Sequence, residues 1–191
     1  MDVLDSVRAS VLSHFDVSSA NSASVTFLGL EPIEIMRIPE GNFLHYVTLG
    51  GARRPMTDPA AAVVDSERGP RAELVMTLRA RRTPHAGLTR ALGVLIASPA
   101  VEGIVLQTDA LLDLGESLWA DAPFTAALLG QSDIPDLPLP EPADPVRFLS
   151  VAPITATEAA WVRLRGASAL REAWSEAGID IRDPDRGAAS L

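Results

Sequence analysis

Residues 43–56 read FLHYVTLGGARRPM and residues 71–80 read RAELVMTLRA, and the fold class turns on these two segments. In the first, Phe43, His45, Val47 and Leu49 alternate with Leu44, Tyr46 and Thr48. In the second, Leu74, Met76 and Leu78 alternate with Glu73, Val75 and Thr77. Period-two alternation is the pattern of a half-buried strand, because successive side chains leave opposite faces of the pleat. It places one of His45 and Tyr46 in the core and the other outside. Gly50, Gly51 and Pro55 mark the turn between the strands, where glycine permits a reversal that a Cβ resists. Neither segment carries a reactive nucleophile, which points to a protein that presents a surface.

Working outward, residues 2–15 read as an amphipathic helix, with Val3, Leu4, Val7, Val11, Leu12 and Phe15 at steps of three and four. The Ser/Asn run over 18–24 reads as a linker, followed by short strands over 25–30 and 33–38 on either side of Pro32. A turn-rich loop fills 50–70 and a central strand follows over 72–79. Residues 85–98 predict a helix that Pro99 stops, with Leu88, Leu92, Leu95 and Ile96 inward. Further strands are expected over 104–107 and 110–114, while 124–129 fits helix or strand. Residues 134–145 hold five prolines and read as an extended loop, and 146–152 as a strand. Thr155 and Glu158 have the spacing of a capping box, which gives Glu158 a structural task. Helices over 156–165 and 167–177 follow, the second with Leu170 and Trp174 inward and Gly178 as its stop. This order predicts an α+β fold, a mixed and mostly antiparallel sheet with helices packed against it. One domain is expected: 1–24 as helix and linker, 25–187 as the body, and 188–191 as a frayed tail.

Composition excludes much chemistry. The 191 residues are 47% hydrophobic and 21% charged and contain no cysteine, which removes disulfides, thiolate nucleophiles and cysteine metal sites. All 16 basic residues are arginine, so lysine Schiff bases and a phosphate-loop lysine are excluded as well. The first ten residues lack the basic and apolar regions of a secretory leader. The longest apolar run, 91–97, falls well short of the ~20 residues that span a bilayer. A cytoplasmic protein, free of membrane, is the expectation.

Charge is unevenly distributed within the net −9: residues 49–90 hold eight arginines against four acids, and residues 91–146 hold nine acids and no basic residue. An oriented field able to steer a charged partner is one reading, and acidic loops that only confer solubility are the other. Nucleic acid, a polyanion, is disfavoured.

Candidate reactive groups do not assemble in the sequence. His14, His45 and His85 are dispersed and lack the spacing of a helical metal pair. His85 follows Thr83-Pro84 and belongs to a helix entry. Ser13, His14 and Asp16 sit side by side, unlike a triad, whose base is held by a third group. Asp109 and Asp113, on one strand, would stand about 13 Å apart, beyond the reach of glycosidase-like carboxylates. Asp133, Asp136, Glu141 and Asp144 lack the spacing of a calcium loop. No cofactor and no dedicated metal site are expected.

Certain strings carry a resemblance: His45-Tyr46, Thr48-Leu49-Gly50, Arg54-Pro55-Met56 and Glu73-Leu74-Val75, then VRFLSVAPITATEAAWVRLRGASALREAW over 146–174. With residues 88–92 and the Ser98-Pro99 stop between them, their order and spacing resemble the suppressor-of-fused (SUFU) domain family over about residues 25–187. Where relatives often carry Gly-His after the helix, this chain has Thr108-Asp109, so a role tied to that histidine does not carry over. The resemblance implies a protein-binding module without catalysis. Animal relatives sequester transcription factors, and bacterial single-domain members are considered immunity proteins that cover a toxin. The partner would be a protein, such as a toxin domain with a basic surface. Its contact surface is expected to combine Tyr46, Arg53, Arg54 and Met56 with Asp109, Asp113 and Glu116. Two alternatives stand beside this one: a hydrolase or nucleotide-handling enzyme built on Asp109, Asp113, Arg53 and Arg54, and a structural adaptor in a larger complex.

Overall fold

The computed structural model describes residues 2–82 and 84–191; Met1 and Thr83, the latter read above with Pro84 as a helix entry, lie outside the described residues. Helix α1 (Val3–His14) leads into β1 (Asn21–Val25), β2 (Ile33–Glu40) and β3 (Phe43–Leu49). A single 3-10 turn, Gly51–Arg53, and a loop precede β4 (Arg71–Arg79) and α2 (Leu88–Glu102). Then come β5 (Leu111–Asp113), β6 (Phe124–Gln131), β7 (Val146–Thr155), α3 (Ala156–Arg165) and α4 (Ala167–Glu176). The strands form one seven-stranded sheet in the order β1-β2-β3-β4-β7-β6-β5. All neighbours are antiparallel except the central pair β4 and β7, which run parallel from Arg71↔Val146 to Val75↔Ser150. The α+β class expected from the element order is the one observed.

Both faces of the sheet are covered. Helix α2 packs Leu88, Leu92, Leu95 and Ile96 on Ile35, Tyr46, Leu74, Met76 and Leu78. On the opposite face α1 lays Val7 and Val11 over Met36, Val47, Val75 and Phe148, while α3 and α4 cover Ala126, Leu128, Ala152 and Ile154 with Ala159, Leu170 and Trp174. A strand covered on both sides has no outer face, so His45 and Tyr46 are both buried, against the expectation of one in and one out. His45 packs 4.5 Å from the Phe15 ring under α1, its ring nitrogens hydrogen-bonded with Thr77 and Glu40. Tyr46 lies on the α2 face, its hydroxyl 3.0 Å from His85 Nδ1.

Several element boundaries differ from the sequence reading. The first strand lies in the Ser/Asn run at Asn21–Val25, because an edge strand needs few apolar residues, and residues 26–32 form the turn before β2. Residues 104–107 are irregular and the strand after them shrinks to Leu111–Asp113, whereas the ambiguous 124–129 segment is strand β6. Helix α2 runs through Pro99 to Glu102. Proline has no N–H for the Leu95 carbonyl, and the Ser98 hydroxyl donates to that oxygen instead. The helix then stops at Gly103, which takes the left-handed conformation (φ 68°).

Strand β7 extends past 152 through Pro153. Its ladder with β4 ends at Ser150, and the C-terminal segment enters the opening between the two strands. Arg79 N–H donates to the Arg182 carbonyl at 2.7 Å, and Arg186 donates to the Pro153 carbonyl at 2.8 Å. The edge of Pro153 without an N–H thus faces a gap that a side chain fills, and costs no strand pairing. Arg186 is buried, and so is Ala189, the second residue of the 188–191 segment expected to fray.

Candidate binding cleft

Glu73 is the third residue of β4 and is fully buried. Its carboxylate accepts from the Thr48 hydroxyl at 2.6 Å, Gly50 N–H at 2.8 Å and Ala52 N–H at 2.9 Å. Burial pushes its pKa up to about 7, against these donors, which favour the charged form. One buried carboxylate therefore folds the end of β3 back on β4 and fixes the backbone of residues 50–52. Arg71, also buried, pins the same turn by donating to the Ala52 carbonyl at 2.8 Å and to the Glu67 carbonyl at 3.1 Å. Gly51 faces the core so closely that a Cβ there would lie 2.5 Å from Ile96 Cδ1 and 2.6 Å from the Ala72 carbonyl. The glycine is required by proximity to α2.

The turn held in this way forms one wall of a cleft of about 330 Å³. The β1–β2 turn supplies a second wall through Gly29 and Glu31, and the C-terminal end of α2 a third through Ala97 and Ala100. Ile33, Met56, Ala72 and Ile96 are among the lining residues, and all four are buried. Met56 is fixed from below, its Sδ accepting from Leu106 N–H at 3.2 Å. Arg53 donates two nitrogens to the Pro32 carbonyl at 3.2 Å, and Arg54 approaches Glu31 at 3.4 Å with most of its side chain exposed.

The other residues expected at the partner surface lie elsewhere. Tyr46 is in the core at 3% exposure and lines no open surface. Asp109, Asp113 and Glu116 belong to the far edge of the sheet around β5, with β4, β7 and β6 between that strand and β3. Each is engaged by an arginine: Asp109 by Arg171, Asp113 by Arg163 at 2.6 Å and Glu116 by Arg90 at 3.1 Å. The hydrogen bond from Arg163 holds the Asp113 pKa below its usual range. Asp109 occupies the left-handed turn (φ 71°) where the chain departs from the Gly-His pattern, and its N–H donates to the Leu129 carbonyl. The structure thus joins Arg53, Arg54 and Met56 at one site and separates them from the three acids.

Sequence reasoning missed Glu31, Ala97 and Ala100, which reach the cleft from distant parts of the chain. It set Glu73 with Val75 and Thr77 on one face of a half-buried strand, whereas β4 is covered on both faces and Glu73 is buried with its neighbours Ala72 and Leu74. Among the described residues no group of three histidine, aspartate or glutamate side chains is placed to hold a metal, and no helix is long and apolar enough to cross a membrane.

A family model described as "Suppressor of fused protein (SUFU)" matches residues 29–187. No match was found among curated proteins. Among solved structures, a SUFU homologue from Neisseria gonorrhoeae is similar, with 20% identity and a TM-score of 0.71, the match covering 100% of this chain and 98% of that one. A chain of the Sufu–Fu complex has 15% identity and a TM-score of 0.69 over 97% of this chain and 91% of its own. Drosophila Suppressor of Fused has 14% identity and a TM-score of 0.69, with 98% of this chain covering 51% of that protein. The family match spans most of the sequence, and the structural matches repeat its fold from end to end: the chain belongs to the suppressor of fused (SUFU) family.

Proposed function

We propose that this protein is a non-catalytic binding module whose partner is another protein, and that its role is that of an immunity protein covering a toxin. The observation that carries the reading is the cleft beside the Gly50–Gly51 turn. It has an apolar floor, a rim of charged side chains and no assembled nucleophile, base or metal ligand set among the described residues. Such a concavity recognises a side chain; it offers no group to transform one. The Sufu–Fu complex, a protein–protein assembly built on a similar fold, supports the same reading. The hydrolase alternative gains nothing from the geometry, since Asp109 and Asp113 are held by different arginines and lie apart from Arg53 and Arg54.

Coexpression tests the immunity role. A protein captured from the native host by this chain is expected to arrest growth when produced alone, and growth should return when the two are produced together. Arrest that persists in the presence of the chain, or a captured partner without toxicity, contradicts the immunity role. The binding role is contradicted if no protein is captured specifically.

A further inference from the structure

The geometry points to the chemistry of the segment the cleft accepts: a large apolar side chain lying next to an acidic residue, presented by a partner polypeptide. This rests on the binding reading above and goes beyond it by naming what is bound. Depth and polarity argue the apolar part. The floor is made by buried aliphatic groups, Ile33, Ala72 and Ile96 among them, and about 330 Å³ accommodates one or two large side chains. Leu28, 106% exposed, directly precedes the lining residue Gly29, and Val101, 68% exposed, directly follows the lining residue Ala100. An isolated exposed aliphatic residue is ordinary, but each of these two is bonded to a lining residue, so exposed apolar groups lie within a residue of the cleft at two of its walls.

The charge at the rim argues the acidic part. Arg53 and Arg54 stand there against a single carboxylate, Glu31. Arg53 spends its terminal nitrogens on the Pro32 carbonyl and is 3.8 Å from Glu31. The Arg54 side chain is 80% exposed and meets Glu31 at 3.4 Å through one nitrogen. A planar guanidinium with free donors beside an apolar cleft is suited to a carboxylate on the incoming segment. This local positive charge stands on a chain whose net charge is −9, so an acidic segment is drawn to the cleft and turned away from the rest of the surface.

Selection of a phage-displayed random dodecapeptide library on the intact protein tests the assignment, each enriched peptide then being measured on Ala100→Trp, which fills the cleft from an exposed position. Enriched peptides should carry Leu, Ile, Met, Phe or Trp within two positions of Asp or Glu. A synthetic copy of one of them should bind Arg54→Glu at least tenfold more weakly by fluorescence anisotropy, with the melting temperature unchanged. Enrichment of basic peptides that Ala100→Trp rejects overturns the acidic assignment while leaving a peptide-binding cleft. Peptides that bind Ala100→Trp as well as they bind the parent protein overturn the cleft as the site. No enrichment overturns the inference, and specific capture of a host protein in that case leaves the binding role standing on another surface.

Discussion

The side chain on which most of the cleft depends is Glu73. Its carboxylate holds the β3–β4 turn through the Thr48 hydroxyl and two N–H groups, yet burial raises its pKa from the ordinary 4.5 to about 7. A folded-state pKa above the unfolded value means that the folded protein binds the proton more tightly. The resulting stability is fully present below pH 4.5 and is lost as pH rises through about 7. Relative to Glu73→Gln, the wild-type protein should therefore gain on the order of 3 kcal/mol as pH falls from 7.5 to 4.5, at about 1.4 kcal/mol per pKa unit. Urea melts across that range check it; a difference that stays flat would show that Glu73 keeps an ordinary pKa. Gly51 makes a second expectation. The Cβ of Gly51→Ala would collide with the Ala72 backbone oxygen as well as with Ile96, so the backbone must shift, at about 1–3 kcal/mol. A thermal melt equal to wild type would show that the turn is looser than its contacts imply.

At the scale of elements, the strands were legible where one pattern sufficed. The Phe43–Leu49 strand falls as read, and β4 and α3 begin within a residue of their readings, because alternation and the Thr155–Glu158 capping box are local signals. Boundaries set by distant partners were not legible. Pro99 continues α2 because Ser98 satisfies the carbonyl that the proline leaves, and β1 is strand because β2 offers it an edge. The C-terminal segment is the clearest case. Glu158 is fully buried and accepts from Arg186 at 2.8 and 3.0 Å, Trp174 Nε1, Ala189 N–H and Thr155 N–H. Burial pushes its pKa up, but the hydrogen bonds from Arg186, Trp174 and Thr155 outweigh this and leave it below the ordinary value. Removing one member of a buried pair strands the other charge, so Arg186→Ala should cost about 3–5 kcal/mol, measured by urea denaturation. A loss below 1 kcal/mol would mean that the segment is an ornament on β7.

Across the whole molecule, the charge asymmetry of the sequence is partly cancelled by the fold. Among the nine acids of residues 91–146, Asp109, Asp113, Glu116 and Asp136 meet Arg171, Arg163, Arg90 and Arg147, which lie outside that segment. Replacing Asp109, Asp113 and Glu116 together by asparagine or glutamine should lower stability by less than about 1 kcal/mol per pair, as for exposed ion pairs. Partner affinity should change by less than threefold, measured at two salt concentrations. A tenfold loss at low salt would return these acids to the contact surface. The sequence segment 50–56 marked one wall of the cleft through its glycines and arginines. The facing walls were not legible, since residues 29–31 and 96–100 meet it only after α2 has packed against β1 and β2. Hydrogen exchange on the protein bound to its captured partner tests the central claim, that this cleft is the contact surface. Protection on binding should concentrate in residues 28–33, 50–57 and 96–101, with residues 109–116 and α3 unchanged. Protection confined to the β5 edge and α3, with the cleft exchanging as in the free protein, would contradict it.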